Sequence, residues 1–178
     1  MRATGIVRRI DDLGRVVIPM EIRRNQRISS NSPIEIFTDI NNEIVLKKYS
    51  PVKELGAFAE DYALALNQSL EHIACIADRD EIIAVAGTEK KRLLQKQLNP
   101  EIMKLMEERK VLLQEQPVAL TSDGGITYTS VITAPIIVEG DIVGAVILAA
   151  NDPDKKMGQL EFKMVETAAG FLGKQIAT

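Results

Sequence analysis

Cysteine and histidine are nearly missing from this chain, one of each in 178 residues, and their scarcity removes whole classes of chemistry. A lone Cys75 permits no intramolecular disulfide and no multi-cysteine zinc site. His72 is the single imidazole, so no Ser–His–Asp set is possible beyond it. No glycine-rich phosphate loop and no metal-ligand cluster is spelled anywhere. Neither an enzyme nor a cofactor is expected. No apolar run approaches the roughly 20 residues of a membrane span. The start, Met-Arg-Ala-Thr-Gly-Ile-Val-Arg-Arg, lacks the apolar core of a secretory signal. The expectation is a cytoplasmic protein with no membrane partner.

Positive charge is scarce overall, with a formal net charge of -3, but it is unevenly placed. Residues 1–49 carry nine Lys/Arg against six Asp/Glu, whereas residues 50–178 carry 13 against 19. Residues 1–27 alone hold seven arginines and only Asp11, Asp12 and Glu21 to oppose them. A basic end on an acidic body points to a polyanion partner. The plain alternative is a solvated basic face.

The chain is expected to divide at Tyr49-Ser50-Pro51, into domains 1–49 and 50–178. Ser50 is placed to cap a helix with Pro51 at its first position. Ahead of it, Thr4–Arg9 and Arg15–Ile18 read as strands around an Asp11–Gly14 turn, and Pro19 opens a short helix through Arg24. Pro33–Asp39 and Glu43–Lys48 read as a hairpin about Asn41-Asn42. So small a core, without disulfide or metal, needs a partner to fold. Apolar residues on both hairpin faces (Ile36 against Phe37, Leu46 against Val45) say the same, and an intertwined dimer satisfies both.

Beyond residue 50, Val52, Leu55, Ala59, Tyr62, Ala63, Leu66 and Leu70 recur at helical spacing. Strands are expected at Ile73–Ala77 and Ile82–Ala86, helices at Lys90–Leu98 and Pro100–Lys110, and a hairpin at Thr129–Val138 and Ile142–Ala149. A long helix is expected over Met157–Ile176. Its stretch Ala168, Ala169, Gly170 and Gly173 is thin, either for close approach of another helix or because glycine is simply tolerated near a chain end. The fold class is α+β.

The string Arg8-Arg9-Ile10-Asp11-Asp12-Leu13-Gly14-Arg15-Val16-Val17-Ile18-Pro19, followed by Glu21-Ile22-Arg23-Arg24, resembles the swapped-hairpin DNA-binding domain of the AbrB and stage V sporulation protein T family. The resemblance continues through Tyr49-Ser50-Pro51 to Glu166-Thr167-Ala168-Ala169-Gly170-Phe171-Leu172. It implies an interleaved N-terminal homodimer forming a β-barrel, and a GAF-like antiparallel sheet flanked by helices behind it. By matching position, Arg8, Arg9, Arg15, Arg23 and Arg24 would be the contacts to double-stranded DNA. Arg2, near the terminus, and Arg27, outside the string, are left out of that set. The role implied is a sequence-tolerant activator and repressor of spore development, acting on the nucleoid of a bacterium. A tetramer is expected from a second contact through the helices at 51–70 and 157–177.

Arginine suits such a role, because its planar fork matches phosphate and the O6/N7 edge of guanine. If six of the ten arginines in a dimer reached phosphates, affinity would fall with log[salt] at a slope of about -5. Arg23 and Arg24 serving only a helix C-terminus, or pairing with Asp11 and Asp12, is the alternative for one or two of them. In the second domain an unidentified small-molecule ligand is implied by the GAF-like resemblance, but no ligand-binding residue is assigned. Cys75 is expected to be an inert strand residue, His72 a surface or helix-end residue, and Asp78-Arg79-Asp80 a solvated turn. Thr121–Gly125 and Thr127–Ser130 have the small polar groups of a pocket lining or of an ordinary loop.

Two other classes compete. Some antitoxins share the swapped hairpin but end in a short disordered tail, whereas here the second segment is long and periodic. Some GAF-like domains reduce oxidised methionine, but with several cysteines.

Overall fold

The computed structural model describes residues 4–28, 30 and 32–178. The chain separates between Tyr49 and Ser50 into two compact units.

In the first unit the Asp11–Arg15 turn is closed by two backbone bonds. Gly14 N–H donates to the Asp11 carbonyl at 2.9 Å, and Asp11 N–H to the Arg15 carbonyl at 3.0 Å. Gly14 takes φ 75°, a left-handed position that glycine fills without steric cost. The strands expected at 4–9 and 15–18 do not form; these segments leave the turn without a ladder. Their side chains supply the reason, since Val7 and Val17 are exposed by 85% and 73%. A two-stranded ribbon with no face to cover is marginal on its own.

The helix α1 (Met20–Asn25) follows Pro19, with Glu21 in its first turn and Arg23 and Arg24 in its last, as the helix dipole favours. β1 (Ile34–Thr38) and β2 (Ile44–Lys48) pair antiparallel with Ile36 opposite Leu46 and Phe37 opposite Val45. The connecting turn has Asn42 at φ 59°. No described residue of this unit is buried.

The second unit begins with α2 (Pro51–Glu54) and α3 (Ala57–Leu70), one expected helix broken in two at Gly56, φ 49°. Ser50 is at the N-cap, but its hydroxyl does not cap; it donates to Asp78 Oδ2 at 3.0 Å. Five strands make one antiparallel sheet: β3 (Ile73–Asp78), β4 (Ile82–Ala86), β5 (Leu112–Gln114), β8 (Ser130–Val138) and β9 (Asp141–Ala150), in the order β4-β3-β9-β8-β5. β6 (Val118–Ala119) and β7 (Thr127–Tyr128) form a separate short pair. The α4 helix is Pro100–Glu107 and α5 is Gln159–Ile176.

Strand residues alternate between two apolar covers, so both faces of the sheet are buried. Ala74, Ile76, Ile132, Ala134, Val146 and Leu148 face Val52, Leu66, Val165 and Leu172 of α2, α3 and α5. Cys75, Val131, Ala145 and Ile147 face Leu98 ahead of α4, Ile102 and Met106 of α4, Leu120 after β6 and Tyr128 of β7. Burying each such large aliphatic contributes about 1.5–3 kcal/mol before entropy is subtracted.

The helix expected at Lys90–Leu98 is a single 3-10 turn, Lys90–Arg92. Beyond it the backbone bonds to strand β4 instead, Ile82 N–H to Lys96 O at 3.0 Å and Gln95 N–H to Ile82 O at 2.8 Å. The segment thereby covers a sheet edge, and that hydrogen bonding outweighs helix propensity. The thin stretch of α5 is also explained differently from the expectation. A Cβ on Gly173 would lie 2.8 Å from the Ile137 carbonyl oxygen, so the close approach is to the sheet, while Gly170 meets nothing within 4 Å. No described helix is long and apolar enough to cross a membrane.

Candidate nucleic-acid interface

Arg8 and Arg9 lie on the arm before the Asp11–Gly14 turn, Arg15 at its far end, and Arg23 and Arg24 in the last turn of α1. Four of the five are exposed and Arg23 is half-buried. Among the described residues, Arg8 Nη1 bonds only to the neighbouring Val7 carbonyl, 3.1 Å, and the buried Arg23 Nε has no partner. One ion pair that the sequence did not suggest forms within the cluster: Arg15 Nε donates to Asp11 Oδ2 at 2.8 Å. Both groups are exposed, so the pair adds little to stability. Arg23 and Arg24 pair with neither Asp11 nor Asp12 among the described residues. Arg27 has φ 55° and its carbonyl accepts from Lys48 Nζ at 3.3 Å, a backbone role in the turn after α1. Arg2 lies outside the described residues.

The second unit offers a different kind of site. A cleft of about 270 Å³ opens where β5 ends and β8 begins, with Leu113 and Met157 as apolar lining and Glu115, Thr129, Ser130 and Lys156 as polar lining. Thr129 and Ser130 thus do line a cavity. In Thr121–Gly125, Thr121 Oγ1 and the Gly125 N–H both donate to Asp123 Oδ1, at 2.6 and 3.3 Å. Asp123 accepts from Thr121 Oγ1 at 2.6 Å and from Lys96 Nζ at 2.7 Å, and these bonds pull its pKa down to about 2.

Cys75 is fully buried in β3, and burial pushes its thiol up to about 12, which leaves it unreactive. His72 follows the end of α3 but is buried rather than at the surface, its Nε2 4.0 Å from Glu161 Oε1. Burial holds its pKa below the usual imidazole value. Among the described residues no group of three His, Cys, Asp or Glu side chains is placed to hold a metal.

Stage V sporulation protein T of Bacillus subtilis (strain 168) is 49% identical to this chain over 178 residues, 99% of each. A family model described as stage V sporulation protein T C-terminal, transcription factor, matches residues 54–177. The chain belongs to the stage V sporulation protein T family. It is a transcription regulator and not an enzyme. A second model, described as antidote-toxin recognition MazE, bacterial antitoxin, matches residues 7–54. Transition state regulatory protein AbrB of the same organism is 53% identical over 51 residues, 29% of this chain and 52% of that one. The GAF domain of a Coxiella burnetii phosphoenolpyruvate-protein phosphotransferase superposes with a TM-score of 0.55 at 16% identity, over 72% of this chain and 83% of that one. That likeness concerns the fold, a GAF-like sheet flanked by helices in an α+β chain.

In this member of the stage V sporulation protein T family, two features of the second unit escape sequence reasoning. Asp78 is not in a solvated turn; it is buried, 6% exposed. Its Oδ1 accepts from the backbone N–H of Asp80 and of Glu81 at 2.8 Å each, and its Oδ2 accepts from Ser50. Lys53 adds an ion pair with Glu81 at 2.6 Å. The first turn of α2 is thereby tied to the β3–β4 turn. Tyr128 and Thr133, in turn, are wholly buried with hydroxyls that have no partner among the described residues. The one available signal was a Thr in an apolar strand, which composition treats as unremarkable.

Proposed function

We propose that the chain is a homo-oligomeric regulator that grips double-stranded DNA through Arg8, Arg9, Arg15, Arg23 and Arg24 of an interleaved N-terminal dimer. One observation carries this reading. An arginine-rich unit of 49 residues has no buried described side chain by itself, while Val7, Ile10, Val17, Ile36 and Ile44 are exposed. A unit of that kind acquires a core only from a second copy. Two copies bring the five exposed or half-exposed guanidinium groups to ten.

A second contact, through α2–α3 and α5, completes a tetramer. Tyr62 stacks on Phe171 and Phe58 packs tilted against both, with ring centroids 5.7–6.1 Å apart, yet Phe58 and Phe171 each remain 40% exposed. Leu160 and Met164 continue that apolar stripe along α5. Two DNA-gripping ends then act through effective concentration on neighbouring sites. The protein works in the cytoplasm on the nucleoid, activating some promoters of spore development and repressing others. The GAF-like unit senses a small ligand and biases the arrangement of the assembly. An antitoxin role, suggested by the match of residues 7–54, is disfavoured by a second unit with two packed cores instead of a toxin-wrapping tail.

The test is binding of the full-length protein to duplex DNA over a salt series, beside Arg15→Ala/Arg23→Ala. The parent should bind with a log–log salt slope of about -5, and the variant should lose affinity and flatten the slope by roughly four for four missing contacts per dimer. Absence of binding at low salt would remove the DNA-binding reading.

A further inference from the structure

Asp11 puts a carboxylate where a DNA-binding face should least tolerate one, beside Arg15 at the hairpin turn. Its two oxygens have separate tasks. Oδ1 accepts from the backbone N–H of Leu13 at 3.0 Å and of Arg15 at 2.8 Å. Oδ2 accepts from Arg15 Nε at 2.8 Å. The backbone bond from Arg15, followed by its side-chain bond, keeps the carboxyl below the usual carboxylate range, so the negative charge is permanent near neutral pH.

The choice of nitrogen matters. A guanidinium offers five donors in a rigid plane, and it makes two-point contacts either side-on through Nε and one terminal nitrogen or end-on through both terminal nitrogens. Asp11 takes Nε, and among the described residues neither terminal nitrogen of Arg15 has a partner. The contact is anchored by a turn whose backbone is already closed between the same two residues, Asp11 N–H to Arg15 O, 3.0 Å. Direction is therefore fixed without consuming the donors that face outward.

We infer that Asp11 is a positioning residue for DNA recognition, aiming the Arg15 guanidinium so that its two terminal amino groups engage a base edge or a phosphate as a pair. This rests on the DNA-binding reading above and adds a residue that charge counting would discard. The two views differ in sign. Coulombic repulsion alone says that removing a negative charge from this face strengthens binding. Positioning says that it weakens binding, because the freed side chain must be ordered when DNA arrives.

Asp11→Asn separates them. It keeps a neutral Oδ1 for the Leu13 and Arg15 amides while removing the charged partner of Nε. Full-length parent, Asp11→Asn, Arg15→Ala and the double variant are titrated against a duplex selected for tight binding to the parent and against random-sequence duplex. Gly14 and Arg15 amide resonances report that the turn is kept. Asp11→Asn should bind the selected duplex about tenfold more weakly, as expected if the two bidentate contacts of a dimer are weakened without being lost. Its preference over random duplex should fall too, and in the Arg15→Ala background the substitution should have no further effect. If Asp11→Asn binds as well as the parent or better while Arg15→Ala weakens binding, Asp11 does not position Arg15, and the DNA-binding reading survives alone. An equal loss with and without the Arg15 side chain assigns Asp11 to the turn only, which also overturns the inference. A parent that binds neither duplex overturns both.

Discussion

Thr133 sits in mid-strand β8, opposite Ile147 on β9 and Leu112 on β5, with its hydroxyl buried and unpaired. A buried donor without a partner forfeits the hydrogen bonds it would make to water. Thr133→Val removes that hydroxyl in nearly the same volume and should stabilise the second unit by about 1 kcal/mol, read from the denaturation midpoint at unchanged m-value. A loss of stability instead would mean that the hydroxyl is satisfied in solution. Asp78 has the opposite balance. Its carboxylate is buried but fully engaged, so truncating it strands three donors at once. Nothing in Asp-Arg-Asp between two strands distinguishes such a hub from a solvated turn, because the partners, Ser50 and the start of α2, come from 28 positions away.

At the scale of elements, the long apolar periodicities were legible and the short irregular ones were not. Strands β3, β4, β8 and β9 and helix α5 fall within two residues of their expected limits. Segment 90–98 had helical spacing but is held as an edge cover by bonds to β4, a tertiary demand that its own residues do not announce. On α5, Leu160, Met164 and Phe171 recur at intervals of four and seven on a face left uncovered in the single chain. Replacing Leu160 and Phe171 together by Gln should convert a tetramer to a dimer in sedimentation while leaving the fold intact, since Leu160 is 64% exposed and Phe171, at 40%, lies outside both buried cores. If the species sedimenting before and after substitution is the same, this face is not the second contact.

For the whole molecule, the division of labour follows the division of charge and of buried area. The second unit closes two apolar cores within one chain, whereas the first closes none. Association should therefore matter to the two units unequally. Hydrogen exchange of the full-length protein is expected to show amides of 4–48 losing protection on dilution, while those of β3, β8 and β9 keep theirs. Uniform protection at all concentrations would show that a single copy is already sufficient for the first unit.

Composition, periodicity and the Asp-x-Leu-Gly-Arg string were enough for the α+β class, the family and the absence of enzyme chemistry. Those properties depend on which residues occur and at what local spacing. The lack of strand pairing at 4–18, the fate of segment 90–98, the buried Asp78 and the grip of Asp11 on Arg15 Nε are of another kind. Each depends on partners brought together from outside the local pattern, or on one side-chain nitrogen being chosen over two others. Only packing in three dimensions decides such matters, because the free energy lies in the contact and not in either residue.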